Sequence, residues 1–299
     1  MTSRHKSLFG LADVAMVVTC FLWGLNTVIS KNAIGDFPET FRVYIYNGLR
    51  IPFGTIFIIM AVKYTGGSIG VKKKHIPYIA VLAFFGMFLF MFAFILGVSL
   101  TSSTNTGVIN ATIPLFILIV SFISGIERPT VRTISGIAVG FCGMLTLTLK
   151  AGGISFNAGD LLLLGSCICW AIHTVFGKKL LNIYSPMVVI VWVYVFTSLY
   201  HIPLFIYQIP GQVWASISAL NWFYLAVSAI GSVFIANCLY YYSITIIGPS
   251  KAGVYTNLTP VFTLLLAVLI RGESITSQHI VGLLLIITGI AVSKSGRKK

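Results

Sequence analysis

Ten stretches of this 299-residue chain stay apolar for about 20 residues, the length of helix that crosses roughly 30 Å of hydrocarbon. No water reaches the backbone in that layer, so each stretch has to close its hydrogen bonds internally as a helix. The expected spans are residues 8–30, 41–62, 76–98, 101–124, 133–149, 159–177, 186–207, 221–243, 249–270 and 277–292. Only 9% of residues are charged, where a soluble globule carries about a quarter, while 57% are hydrophobic and the mean hydropathy is +0.97. That is too little charge to clothe a water-facing surface, which sets aside soluble enzymes, nucleic-acid-binding modules and disordered tails. The connections are short and broken by Gly, Pro and Ser, leaving no room for a soluble domain. The fold class expected is an all-α integral membrane protein with ten transmembrane helices.

A net charge of +14 would otherwise suggest a polyanionic partner. Its distribution gives a different reading. With the N-terminus inside, the inner segments hold Arg4, Lys6, Lys63, Lys72, Lys73, Lys74, Arg128, Arg132, Lys178, Lys179, Lys251, Lys294, Arg297, Lys298 and Lys299. The outer segments hold only Lys31, Arg42, Lys150 and Arg271, and Arg50 lies within a span. Positive residues in short loops are retained on the cytoplasmic side, so both termini are expected in the cytoplasm and the protein in the cell membrane. The basic collar faces anionic lipid headgroups, with no nucleic acid as partner. The basic start runs into an apolar stretch with no small-x-small cleavage site, which reads as a retained first span. All five cysteines fall inside apolar runs at spacings that suit neither a disulfide nor zinc, so no metal and no cofactor are expected.

Sliding the chain over itself by 146 to 147 residues aligns Asp13, Cys20, Trp23, Thr27, Val28 and Lys31 with Asp160, Cys167, Trp170, Thr174, Val175 and Lys178. Further on, Gly107, Pro114, Phe116, Glu127, Gly136 and Gly143 fall on Gly253, Pro260, Phe262, Glu273, Gly282 and Gly289. Apolar composition matches Leu and Val by accident, but Trp, Pro, Glu and Gly in register argue for duplication. Residues 1–150 form a first five-helix repeat and residues 151–299 a second. An odd number of crossings per repeat turns the second upside down in the bilayer, the symmetry associated with alternating-access transport.

Three stretches carry a resemblance: Phe21-Leu22-Trp23-Gly24-Leu25-Asn26 in span 1, Asn110 through Pro114 to Glu127 across span 4, and Thr259-Pro260-Val261-Phe262-Thr263 through Gly272-Glu273 across span 9. In these the chain resembles the drug/metabolite transporter superfamily, specifically its ten-helix EamA-type branch, over essentially its whole length. The resemblance implies that spans 1, 3, 4, 6, 8 and 9 surround a central cavity and that spans 5 and 10 are peripheral. The branch includes carriers of amino acids, other metabolites and drugs.

The six acidic residues, Asp13, Asp36, Glu39, Glu127, Asp160 and Glu273, all lie near span ends. Asp13 and Asp160 are expected to cap helix starts, and Glu127 and Glu273 to close spans 4 and 9 and cap spans 5 and 10. A buried-carboxylate proton relay therefore has no support. Arg50 stands near the bilayer centre, where an unpaired Arg costs at least about 2.5 kcal/mol. Tyr46 and Asn47 share its face, and its two readings are structural satisfaction of a neighbouring helix, or a gate or carboxylate ligand. The EamA-type resemblance implies an Arg in this part of span 2, which favours structure or gating.

The candidate substrate-binding residues are Trp23, Asn26, Asn110, Trp170, His173, Asn237 and Asn257, all polar or aromatic and deep in spans. Asn26 and His173 are repeat-equivalent, each three residues after its repeat tryptophan, so indole and polar group share a helix face. The tryptophans are either packing residues or a platform for a planar or quaternary-ammonium solute. Pro114 and Pro260 interrupt spans 4 and 9 at matched positions, as static kinks or as hinges. An enzyme would need a metal cluster, a nucleophile with a base, or paired acids at membrane depth, and no such catalytic set is present. A channel would need a continuous polar stripe. The expected function is secondary transport of a small zwitterionic or neutral metabolite, amino acids first and quaternary amines such as choline second, by a monomer or homodimer.

Overall fold

The computed structural model describes residues 10–34, 39–101, 106, 109–148, 157–271 and 276–294. Their architecture is ten helices, which we number α1 to α10. They are α1 (Leu11–Ala33), α2 (Val43–Tyr64), α3 (Ile76–Ala83, Phe84–Leu89 and Phe90–Leu100 in succession), α4 (Ile113–Ile123), α5 (Val131–Thr148), α6 (Ala158–Leu181) and α7 (Pro186–Gln208). Helix α8 runs through Ala219–Ser228, Ala229–Ala236 and Asn237–Ile247, α9 through Pro249–Thr256 and Leu258–Arg271, and α10 covers Ser277–Lys294. Six of them, α1, α2, α3, α6, α7 and α8, are each long and apolar enough to cross a bilayer. The chain is an all-helical, multi-pass membrane protein.

Spans 4 and 9 differ from the expected single helices. Pro114 stands in the first turn of α4, preceded by a turn at Ala111 and Thr112, and Pro260 is the third residue of Leu258–Arg271, preceded by a turn at Asn257. Proline has no N–H to give, which costs nothing in a first turn. What the sequence suggests as a mid-helix kink is therefore realised as a break just before each proline. Gly107 lies outside the described residues.

Two segments depart from α geometry altogether. Phe84–Leu89 in α3 and Ala229–Ala236 in α8 are π-helical, with the wider i to i+5 hydrogen-bond loop, and they sit at corresponding places in the two halves of the chain.

Lipid tails are as apolar as Leu, so helices in a membrane associate through close packing more than through hydrophobicity. The antiparallel pair α5 and α10 shows this most plainly. A Cβ placed on Gly136 would lie 2.5 Å from the Gly289 carbonyl, and one on Gly143 would lie 2.8 Å from the Gly282 carbonyl, so the two backbones touch. Elsewhere α1 packs on α8 and α9, α6 packs on α3 and α4, and α2 lies against α7.

Helix ends are capped by the acids that the sequence placed there. Asp13 Oδ2 accepts from the Gly10 N–H at 2.8 Å, and Asp160 Oδ2 from the Asn157 N–H at 2.7 Å, the latter in a reciprocal capping box. Glu127 is a correction. Its carboxylate accepts from the Ser250 N–H at 2.8 Å, so it caps α9 and not α5. The reason is geometric: α9 begins with Pro249 directly after Gly248, whose φ of +82° turns the first N–H groups toward the α4–α5 loop. Lys178 at the end of α6 donates to the carbonyls of Ile244 and Thr245, and Tyr255 donates to Asp13 at 2.6 Å. These contacts tie α1, α4, α6, α8 and α9 together at one end of the bundle. Glu273 lies outside the described residues.

Candidate functional site

Four helices bring aromatic rings to one point. Trp23 of α1 and Trp170 of α6 meet edge to face with ring centroids 5.6 Å apart. Tyr240 of α8 lies 5.1 Å from Trp23 and 5.7 Å from Trp170, and Phe90 of α3 lies 5.0 Å from Trp170. Pairs at these separations contribute about 0.5 to 1.5 kcal/mol each beyond their buried area. Trp170 and Tyr240 are buried while Trp23 and Phe90 are half-buried, so the cluster has an inner wall and an accessible side. Tyr240 is fixed by a 2.9 Å hydrogen bond with Thr174.

His173, one turn beyond Trp170, is fully buried with its ring centroid 5.9 Å from the indole. Both ring nitrogens are occupied: Nδ1 is 3.3 Å from the Leu82 carbonyl, and Nε2 makes a short hydrogen bond with the Tyr241 hydroxyl. A carbonyl only accepts, so Nδ1 donates, and Nε2 accepts from Tyr241; a neutral imidazole satisfies both contacts. The ring lies directly on the π segment of α3, where a Cβ on Gly86 would collide with it.

A polar cluster lies one turn from Trp23 along α1, about 4.5 Å of rise. Asn26 Oδ1 accepts from Arg50 Nη1 at 3.0 Å, from Ser30 Oγ at 3.2 Å and, in a short bond, from Ser228 Oγ. Arg50 Nη1 also donates to Ser228 Oγ at 3.0 Å, and its guanidinium sits 5.4 Å from the centroid of the Tyr46 ring. Ser30 and Tyr46 bond to each other at 3.1 Å. A buried cation is thus held by neutral oxygens and a π face, on three helices, immediately before the π segment of α8.

The remaining sequence candidates are scattered. Asn110 is half-buried with its carbonyl oxygen 3.8 Å from Cys167 Sγ. Asn237 spends its amide on the Ser232 carbonyl at 2.6 Å, closing the π segment, and its Oδ1 has no hydrogen-bond partner among the described residues. Asn257 lies against Gly140 of α5, outside both clusters. The structure therefore brings Trp23, Trp170 and His173 together, joins Asn26 to Arg50, and leaves Asn110, Asn237 and Asn257 apart. Sequence reasoning missed Phe90 and Ser228 as members. Tyr240 stands in a run of three tyrosines, Tyr240–Tyr242, and nothing in that run distinguishes a site wall from packing.

The EamA-like transporter family matches the chain twice, over residues 10–149 and again over 157–294. The uncharacterized transporter YetK of Bacillus subtilis is 25% identical, with 96% of this chain and 88% of that protein covered. An uncharacterized transporter of Archaeoglobus fulgidus is 28% identical over 93% of this chain and 97% of its own. A solved crystal structure of a protein superposes with a TM-score of 0.78 at 20% identity, covering 94% of this chain and 95% of that one, a likeness of fold.

Proposed function

The chain belongs to the EamA-like transporter family, and on that premise we propose that it is a secondary transporter of a small zwitterionic or neutral organic metabolite, amino acids first. The observation that carries this reading is the aromatic cluster on α1, α3, α6 and α8 standing one helical turn from the Arg50–Asn26–Ser228 cluster. One end of such a site suits an apolar or ammonium-bearing group and the other a polar head. The curated relatives are named as transporters, which agrees with a carrier and not an enzyme.

We further propose that residues 1–150 and 151–299 are inverted repeats that work by alternating access. The family matches each half in turn. The α5–α10 seam is reciprocal: under a shift of 146 residues the Gly136–Gly289 contact becomes Gly282–Gly143, as a two-fold axis requires. The Asn26–Ser228 and His173–Leu82 contacts are likewise equivalent under shifts of 146 to 147, each joining the helix-1 type to the π-bearing helix. Two halves with the same contacts can exchange inward-open and outward-open roles.

The proposed location is the cytoplasmic membrane with both termini inside, from the bias of Lys and Arg. Single cysteines placed after Leu100 and at the exposed Ala215, on a cysteine-free background, are expected to react with an impermeant maleimide in intact cells. Labelling of the Lys72–Lys74 loop in their place would reverse the topology.

Function is tested by counterflow: purified protein in liposomes preloaded with an amino acid should accelerate entry of the labelled species with saturation, as a channel does not. The same vesicles test coupling. We propose facilitated diffusion or exchange, because Asn26, which cannot titrate, stands where the other half has His173. An imposed pH gradient is expected to leave the final internal concentration at equilibrium. Accumulation above equilibrium that is lost in His173→Asn would make His173 a proton carrier.

A further inference from the structure

We propose that Arg50 recognises a carboxylate of the transported solute through the edge of its guanidinium formed by Nε and Nη2. This rests on the carrier reading above and narrows it: the substrate class becomes carboxylates, amino acids among them, and quaternary amines are set aside.

The hydrogen bonds of Arg50 are lopsided. Both run from Nη1, to Asn26 and Ser228, while Nε is buried with no hydrogen-bond partner among the described residues. Nη1 is the nitrogen on the Cδ side of the planar group. The opposite edge presents the Nε–H and one Nη2–H in parallel, the fork that matches the two oxygens of a carboxylate. Nη1 is thus occupied in orienting the guanidinium, and the bidentate edge is left over.

A purely structural arginine would be expected to spend that edge on the protein, since a buried unsatisfied donor is costly. Arg50 is itself only 9% exposed. Among the described residues, no carboxylate serves it. Asp13 is bonded to Gly10 and Tyr255, Asp160 to Asn157 and Thr101, and Glu127 to Ser250, while Glu39 is exposed in the α1–α2 connection. The groups of its cluster, Asn26, Ser228, Ser30 and Tyr46, carry no negative charge, so an anionic group would neutralise the guanidinium here. Asn26 and Ser30 are half-buried, which places this charge at the accessible side of α1. A carboxylate bound here leaves the rest of an α-amino acid within one helical turn of Trp23, where its ammonium and side chain meet aromatic faces.

The test is the thermal stabilisation of purified full-length protein by common L-amino acids and short mono- and dicarboxylates, each compared with its own carboxamide, and by choline. The expected result is at least one acid that stabilises the wild type, with its carboxamide weaker by about thirtyfold or more in half-saturating concentration. Arg50→Lys keeps the charge but loses the fork and should retain only part of the preference, while Arg50→Gln loses both and should bind the acid and its amide alike. Because either variant can fold poorly, the wild-type acid-to-amide ratio stands as a separate criterion. The proposal is overturned if no carboxylate stabilises the wild type, if the amide equals the acid, if choline alone binds, or if Arg50→Gln folds and retains the preference. Binding is read here without transport, so failure of counterflow with the preference intact would sink the carrier reading and spare this one.

Discussion

Trp170→Ala, and separately Trp23→Ala, are expected to raise the half-saturating concentration for transport by about thirtyfold. A ring face offered to a desolvated cationic or apolar group contributes about 2 kcal/mol, and every 1.4 kcal/mol is a factor of ten. Trp170 also touches Trp23, Tyr240, Phe90 and His173, so its removal opens space in the cluster as well as deleting a contact. Trp170→Phe keeps a ring and should recover most of the affinity. Concentration dependence of counterflow, normalised to correctly folded protein, reads the effect. If both alanine variants saturate where the wild type does, the aromatic cluster is packing and the site lies elsewhere.

The largest effect on stability is expected at the seam of α5 and α10. Gly136→Leu drives a branched side chain into the Gly289 carbonyl and Ser293, where even a Cβ has no room. Overpacking a core commonly costs about 1 to 3 kcal/mol, and here backbone cannot yield without parting the helices, so a loss of about 3 kcal/mol is expected. Ser135→Leu, on the exposed face of the same helix, should be silent. Melting temperatures of the two variants in one detergent check the difference, and a Gly136→Leu protein that melts with the wild type would mean that the seam is not where the fold is held.

The spans were legible because each depends on one additive property, apolar length, which a sliding window measures without knowing the partner helix. Hence α7 begins at Pro186, as expected, and α2 is displaced by only two residues at each end. The capping by Asp13 and Asp160 was legible for the same reason, being local to one turn. Glu127 was not, because its partner, the Ser250 N–H, is 123 residues away and presented by a turn at Gly248. Arg50 showed from burial alone that it needed company, but that its company is Asn26 and Ser228 depends on how three helices cross. The π segments left no mark, since their sequences are as apolar as their neighbours and the departure lies in hydrogen-bond spacing.

That spacing has a consequence for how such chains diversify. A π turn holds one residue more than an α turn closing the same ladder, and one residue is worth about 100° of rotation about the helix axis. In α8, Ser228 lies before Ala229–Ala236 and Tyr240 and Tyr241 lie after it. Ser228 faces Arg50, while the two tyrosines face Trp170 and His173, because the extra residue has rotated the second half of the helix relative to the first. Deleting a single residue between them would swing the Tyr240 ring off Trp170 and the Tyr241 hydroxyl off His173 while leaving every contact of Ser228 in place. A change in length of one thus acts as a wholesale exchange of side chains along half a helix, a route to new substrate preference that leaves the remaining residues of α8 as they are.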